Sequence, residues 1–502
     1  MAKELGVVGQ TLDTVETYRD HREQDAHLQT GLDRADPFVT KMRQAALPEL
    51  MISVFCHYYQ QLLQGETGYI EGQEAHPIQQ LPQFDQLSES HYAAGVAVLD
   101  KTLVIKLNGG LGTSMGIQGA KSLLPAKAQW SFLDIIVQQM LYLRERRDAR
   151  LPLVLMNSFN TEADSVAALG AYPHFGQDLP FSFLQHKEPK VLKATLLPAE
   201  WPADPTKEWC PPGHGDIYAA LMTSGMLTQM IDADFAYAFV SNSDNLGAML
   251  DLRILGYMAT EQLPFLMEVA DRTLADSKGG HLAQRPDGQL ILRELAQCPP
   301  DELDTFQDVQ RYRYFNTNNL WVHLPTLNKV LHERNGVLGL PLILNEKPVD
   351  PKNLSSPRVY QLETAMGSAI ACFAGAQALV VPRSRFVPVK KNNDLLLLWS
   401  DVYDLDEAFQ MTMHPSRTTG EMGGAPLIFL DERYYQLIDD MRERFPYGAP
   451  SLLQCTELRV EGNVYFGRNV ALQGKVHIAN DSDMPLWIKD NTRLVDQGIQ
   501  NE

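Results

Sequence analysis

Leu103-Val-Ile-Lys-Leu-Asn-Gly-Gly-Leu-Gly-Thr-Ser-Met-Gly-Ile-Gln-Gly-Ala-Lys-Ser122 is the stretch from which the rest of the chain can be read. It opens with a short β-rich run, Leu103 to Leu107, and passes at once into glycine at Gly109, Gly110, Gly112, Gly116 and Gly119. Glycine allows positive φ and lets a ligand approach the backbone N–H groups closely. Such N–H groups, with a helix expected soon after, form a site for anions. Lys121 adds a point charge and Ser122 a hydroxyl. A bare strand-to-helix turn needs neither so many glycines nor the lysine, so the pattern reads as a phosphate cradle.

It is not one of the two commonest cradles. A Walker A loop has glycine immediately before its lysine and another five residues earlier, where this chain has Ala120 and Met115. A dinucleotide fingerprint needs G-x-G-x-x-G, and Gly110-Leu-Gly112-Thr-Ser-Met-Gly116 is one residue too long. No acid closes the second strand at Met156-Asn-Ser158 either.

Outward from the loop, the texture alternates. Leu151 to Met156, Phe181 to Leu184 and Phe235 to Val240 read as strands, with helical stretches such as Ile217 to Ile231 between them. Phe159 to Glu162 can start a helix. Strand, loop and helix in alternation predict an α/β fold with a mostly parallel sheet covered on both faces. Gln284-Arg-Pro-Asp-Gly-Gln289 predicts an antiparallel hairpin turning on Asp-Gly. On the N-terminal side, residues 1–40 are polar, and Phe38, Met42, Leu47, Met51, Phe55 and Tyr59 recur on roughly one helix face. On the C-terminal side, Leu458 to Gly467 and Val470 to Ile478 are short strands punctuated by glycine, suggesting a small β-solenoid or sandwich. The expected organisation is a helical region over 1–95, a catalytic domain over 96–405 and a C-terminal domain over 406–502.

At 502 residues the chain exceeds a single core. Its formal net charge of −19 opposes binding to nucleic acid or to an anionic membrane, so a phosphate ligand must be caught by a local basic site. The five cysteines show no C-x-x-C spacing, which fits a reducing compartment. No apolar signal core opens the chain, and no window approaches the ~20 apolar residues of a membrane span. A cytoplasmic location is the expectation.

The loop and five further blocks, in order, closely resemble the eukaryotic-type UTP–glucose-1-phosphate uridylyltransferases. The blocks are Pro211-Pro-Gly-His-Gly-Asp216, Ser241-Asn-Ser-Asp-Asn-Leu-Gly247, Phe315-Asn-Thr-Asn-Asn-Leu-Trp321, Gln361-Leu-Glu-Thr-Ala-Met-Gly367 and Val381-Pro-Arg-Ser-Arg-Phe-Val-Pro-Val-Lys-Lys391. The resemblance covers roughly residues 100–405. It implies a nucleotide-diphospho-sugar transferase fold, Rossmann-like with a mixed sheet, and a C-terminal left-handed β-helix. One residue departs: the family usually has Gly-Pro-Lys-Ser where this chain has Gly119-Ala-Lys-Ser122. Loss of the proline loosens the turn, although alanine can adopt the same φ.

The resemblance also implies roles. Leu107, Asn108, Gly109 and Gly110 would meet the uracil and ribose side of UTP through their backbone. Gln185 would read the base, since an amide matches the adjacent carbonyl and imino N–H of uracil. Gly213 and His214 match positions at the nucleotide and sugar phosphate; Asp216 after them reads equally well as the cap of a helix starting at Ile217. Asn242, Ser243 and Asp244 lie just beyond a strand, the carboxyl end where ligands bind in open α/β sheets. Asp244 is the implied Mg²⁺ ligand, because Mg²⁺ needs only one or two protein carboxylates when phosphates and water complete its shell. Asn318, within the Asn316 to Asn319 block, is the implied sugar contact, and Lys390 joins Lys121 as a catalytic cation, with Arg383 and Arg385 extending a local positive patch.

The implied reaction joins UTP and glucose 1-phosphate. The sugar phosphate is largely dianionic at neutral pH, its second pKa being about 6, so it needs no general base. Repulsion between two polyanions is the obstacle, and Lys121, Lys390 and Mg²⁺ are suited to lowering it while the attack proceeds in line on the α-phosphorus. A broad-specificity UDP-sugar pyrophosphorylase and a catalytically silent nucleotide-sugar binder are the alternatives. Ser114 stands where the N-acetylhexosamine branch typically carries arginine. The glycine-rich terminal strands are suited to pairing between chains as a homo-oligomer.

Overall fold

Residues alternate faces along Thr102–Asn108 (β1), and both faces are covered. Leu103 and Ile105 enter one apolar layer with Val154, Met156 and Val240; Val104 enters the other with Leu153, Leu155 and Phe239. A strand apolar on both faces is what a central position in a covered sheet requires. These contacts come from the computed structural model, which describes residues 34–112, 115–117, 119–172, 179–418 and 424–501.

The sheet has nine strands. After β1 come Leu153–Asn157 (β2), Ser182–Leu184 (β3), Tyr237–Asn242 (β4), Phe265–Asp271 (β5), His281–Gln284 (β6), Leu290–Arg293 (β7), Tyr314–His323 (β8) and Gln377–Val380 (β9). Their order is β7-β6-β8-β4-β1-β2-β3, with β5 paired to β8 and to β9. β1, β2, β3 and β4 run parallel, and β8 runs antiparallel to β4 and β5. The predicted mixed, mostly parallel α/β sheet is present, and β6 and β7 form the hairpin predicted at Asp-Gly, where Gly288 takes φ 93°.

Three expectations change in detail. The apolar run Phe38 to Tyr59 belongs to two helices, 34–44 and Glu49–Leu63, because Pro48 disfavours helical backbone at Leu47. Phe38, Met42, Met51, Phe55 and Tyr59 still share one core, closed against Val191, Leu342 and Leu362. The helical stretch from Ile217 is split at Gly225, whose φ of 71° ends one helix and starts another. Finally, no long helix follows the glycine loop directly. A single 3-10 turn, Lys121–Leu123, leads through the short hairpin Pro125–Lys127 and Trp130–Ser131 to the helix Phe132–Arg147. Ser131 and Asp134 cap that helix reciprocally, so its start is set by the capping box, beyond the loop.

The C-terminal strands stack in parallel. Ser451 pairs with Ala471 and Ala471 with Arg493, while Val464 to Phe466 pair with Leu486 to Ile488. Strands one coil apart lying in parallel register define a β-solenoid and exclude a sandwich of hairpins. Its interior, including Leu458, Val464, Val476 and Ile488, is continuous with Leu396 and Val402. Among the described residues no helix is long and apolar enough to cross a membrane. Residues 1–33, Thr113, Ser114 and Gln118, including the front of the helical region and the Ser114 comparison, lie outside the described residues.

Candidate active site

The carboxyl ends of β1, β2, β3 and β4 open into a cleft of about 610 Å³ lined by Leu107, Gly109, Gly110, Lys121, Met156, Gln185, His214, Asn242, Ser243 and Asp244. Nine of the residues expected at a nucleotide site from sequence therefore meet in one place; Met156, an apolar side chain on the same face of the sheet as Leu107, was not foreseen. Nothing marks Met156 in the sequence, since a methionine at a strand end is ordinary core.

The glycines serve different ends. Of the five, Gly116 alone takes positive φ, at 77°. At Gly109 a Cβ would stand 2.6 Å from Oε1 of Gln185, so the glutamine amide lies against the loop backbone and would have to swing away from any side chain there. A Cβ on Gly110 would meet nothing within 4 Å, which leaves that backbone open to the cleft. Ala120 sits at φ −64° and ψ 122°. Proline fixes φ near −65°, so alanine here holds the geometry a proline would impose.

Lys121 reaches across the cleft. Its Nζ donates to Asp244 Oδ2 at 2.8 Å and to the carbonyl of Val389. The peptide N–H of Val389 in turn donates to the Asp244 carbonyl at 3.1 Å, and that of Val387 to Asn245 Oδ1 at 2.8 Å. The turn after β4 and the segment before Lys390 are thus stitched together, with the lysine as the third thread. Ser122 turns inward, and its hydroxyl is buried without a hydrogen-bond partner.

His214 holds a defined tautomer. Its Nδ1 accepts from the Met366 N–H at 2.9 Å, which places the ring proton on Nε2. Burial pulls its pKa down to about 4, so the ring is neutral at pH 7 and offers the cleft a hydrogen-bond donor without a charge. Gly213, at φ 79°, makes that placement possible; a Cβ there would fall 2.4 Å from the Thr364 carbonyl.

Other expected residues stand back from the cleft. Asn108 is buried, its Nδ2 donating to Asn157 Oδ1 at 2.8 Å and Ser165 Oγ at 2.7 Å, so only its backbone is available. Asn318 takes φ 59° in the bulge where β8 shifts register against β5, and its Oδ1 accepts from Asn316 Nδ2 at 2.8 Å. Asn319 is a structural residue, buried and donating to Glu268 at 3.0 Å. Lys390 is exposed beyond the cleft lining, its backbone N–H held by Asp394 at 2.7 Å. It faces Glu294, whose carboxyl is pushed up by burial and drawn back down by the lysine.

The positive patch expected from Arg383 and Arg385 is corrected. Arg385 is buried and grips Glu268 with two bonds, of 2.7 and 2.6 Å, and Arg383 pairs with Asp276 at 2.8 Å. Both charges are already matched. The helix cap expected of Asp216 is also absent: its carboxylate makes no cap bond to the helix Ile217–Thr223 and turns to His186 instead.

For a metal, the described residues contain no group of three or more His, Cys, Asp or Glu side chains gathered to hold an ion. One carboxylate, Asp244, faces the cleft with its side chain partly exposed. That donor set fits a hard cation completed by phosphates and water, and does not fit a protein-enclosed zinc site.

Comparisons with known proteins place the chain in a family. Residues 52–473 match the family model described as UTP–glucose-1-phosphate uridylyltransferase. A probable UTP–glucose-1-phosphate uridylyltransferase of Schizosaccharomyces pombe is 39% identical over 457 residues, covering 90% of this chain and 87% of that protein. The Saccharomyces cerevisiae UTP–glucose-1-phosphate uridylyltransferase is 40% identical over 390 residues, covering 78% and 76%. Among solved structures, a mutant UDP-glucose pyrophosphorylase from Leishmania major in complex with UDP-glucose superposes with a TM-score of 0.85 at 43% identity, over 93% of this chain and 99% of that one. A Trypanosoma brucei structure titled UDP-glucose phosphorylase gives a TM-score of 0.85 at 40% identity, over 94% and 100%. With residues 52–473 matched by the family model and a relative 39% identical over 90% of the chain, the chain belongs to the UTP–glucose-1-phosphate uridylyltransferase family.

Proposed function

We propose that the cleft transfers the uridylyl group of UTP to glucose 1-phosphate, giving UDP-glucose and pyrophosphate. The observation that carries this reading is the meeting of an amide, a neutral histidine donor, a lysine and a single carboxylate at the carboxyl ends of parallel strands. Gln185, which lies against Gly109, would read uracil through its amide. The open backbone at Gly110 receives the ribose and phosphate side. Nε2 of His214 donates to a phosphate or sugar oxygen, and Lys121, released from Asp244, neutralises charge at the reacting phosphates.

Asp244 would hold Mg²⁺ at the triphosphate, and the bound ion would supply further charge neutralisation. Lys390 would complete the site from the segment stitched to Asp244, and Asn318 would contact the sugar. The nucleophile is a phosphate oxygen already ionised at neutral pH, so the cleft's task is alignment and charge, not proton removal. The leaving group is pyrophosphate.

The direct test is pyrophosphate release from UTP, glucose 1-phosphate and Mg²⁺, with a panel of other sugar 1-phosphates compared by kcat/KM. Turnover with glucose preferred supports the assignment. Tight UTP binding with no turnover on any sugar phosphate would sink it and identify a silent binder.

A further inference from the structure

We propose that Asp216 is a positioning residue for base recognition, acting through His186 to fix Gln185; this rests on Gln185 reading the uracil. The starting point is an exposed weakness in the sheet. β3 is three residues long and, among the described residues, lies at the edge of the sheet with β2 as its one partner strand. Gln185 follows it directly, with its own N–H bound to the Asn157 carbonyl at 2.8 Å. A short edge strand with one neighbour is a poor platform for an amide that must discriminate between bases, because small displacements change which donor meets which acceptor.

The next residue supplies what the strand lacks. The His186 N–H donates to Asp216 Oδ2 at 2.6 Å, and its Nδ1 lies 2.8 Å from Asp216 Oδ1, so one carboxylate grips both backbone and ring. On the far side of the ring, Nε2 lies 2.9 Å from Thr223 Oγ1, which also reaches the Ala219 carbonyl at 3.0 Å. The Asp216 side chain is 1% exposed. A charge-assisted, buried, two-point contact of this kind is strong and geometrically exact in its demands.

Asp216 takes this role in place of a nearer one. It precedes the helix Ile217–Thr223 yet leaves that helix without a side-chain cap. Its own turn is anchored elsewhere: the Gly215 N–H donates to the Thr364 carbonyl at 2.9 Å, and His214 is fixed by Met366. Asp216 therefore joins two walls of the cleft, the base wall carrying Gln185 and the wall carrying His214. Because the turn carrying His214 keeps its own anchors at Thr364 and Met366, displacing the carboxylate is expected to loosen Gln185 more than His214.

The test measures kcat, KM for UTP and the UTP-to-CTP ratio of kcat/KM in Gln185→Ala, Asp216→Asn and the double variant. Asp216→Asn keeps the volume but can accept only one of the two bonds. It is expected to raise KM for UTP and lower the UTP-to-CTP ratio by about tenfold, with a smaller change in kcat, and to lower the ratio no further in the Gln185→Ala background. Should Asp216→Asn not fold, His186→Leu, which deletes the ring bond, is expected to lower the ratio, and His186→Asn, which restores a donor near the Nδ1 position, to recover it. An unchanged ratio in Asp216→Asn, or losses that add in the double variant, overturns the proposal. An unchanged ratio in Gln185→Ala overturns instead the base-reading role on which it rests.

Discussion

The two ends of the cleft are built on opposite terms. At one end, Gln185 lies against a glycine and is followed by a histidine held at both ring nitrogens, by buried Asp216 and by Thr223. At the phosphate end, Lys121 is spent on Asp244 and on the Val389 carbonyl, and Lys390 stands outside the lining. On the proposed assignment, recognition of the base is prepared in advance, whereas at the phosphate end Lys121 would have to leave its internal partners to meet substrate. The difference follows from the ligands. Uracil, neutral and planar, would be read by fixed hydrogen bonds, whereas a triphosphate would bring enough charge to displace an internal ion pair and take the lysine for itself.

The contrast is broken most directly at Lys121. Lys121→Ala is expected to lower kcat by about a hundredfold, and Lys390→Ala by at least about tenfold, with the fold intact. Steady-state rates beside a thermal melt decide this, and an unchanged kcat in either variant removes that lysine from the chemistry. At the base end, Gly109→Ala puts a methyl 2.6 Å from the Gln185 amide and is expected to raise KM for UTP about tenfold while kcat moves less. If KM stays put, the amide does not depend on the loop for its position.

Smaller effects sharpen the same contrast. Ala120→Pro fits the existing φ of −64° and is expected to stabilise the protein by about 0.4–1 kcal/mol, read by denaturant titration. A loss of stability would show that the loop needs more freedom at that residue than its backbone angles suggest. The last effect lies beneath the sheet. Lys106 is buried, donating to Ser241 Oγ and the Ala248 carbonyl at 2.7 Å each, and burial brings its amine down to about 7. Its unfolded value is about 10.4, so between these limits the unfolded chain binds more protons and this residue makes stability rise with pH. Its penalty is full below pH 7 and gone above about 10.4. Lys106→Met is expected to flatten that slope; an identical pH dependence in both proteins would rule the titration out.

Much of this was legible before any coordinates. The glycine run after an apolar strand placed a loop at the end of a sheet strand, and the family resemblance pointed to Gln185, His214 and Asp244, which the fold brings into the same cleft. Local chemistry explains that success: glycines, caps and hairpin turns act within a few residues of themselves. The misreadings have the opposite cause. Arg385 looked like a free surface charge and is locked to Glu268, more than a hundred residues away. Asp216 looked like a cap and bonds to His186 instead.

What the sequence determined by itself was the succession of the parallel strands along the chain, the place of the loop and the chemical types near it, because these depend on backbone conformation and residue identity near each position. What tertiary structure alone decided was which charges are free and which amides face the cleft. Those outcomes depend on partners brought together by sheet order, where β4 and β2 flank β1 although they are far apart along the chain. A carboxylate's role is set by the donor that folding puts beside it, and no spacing in the chain encodes that distance.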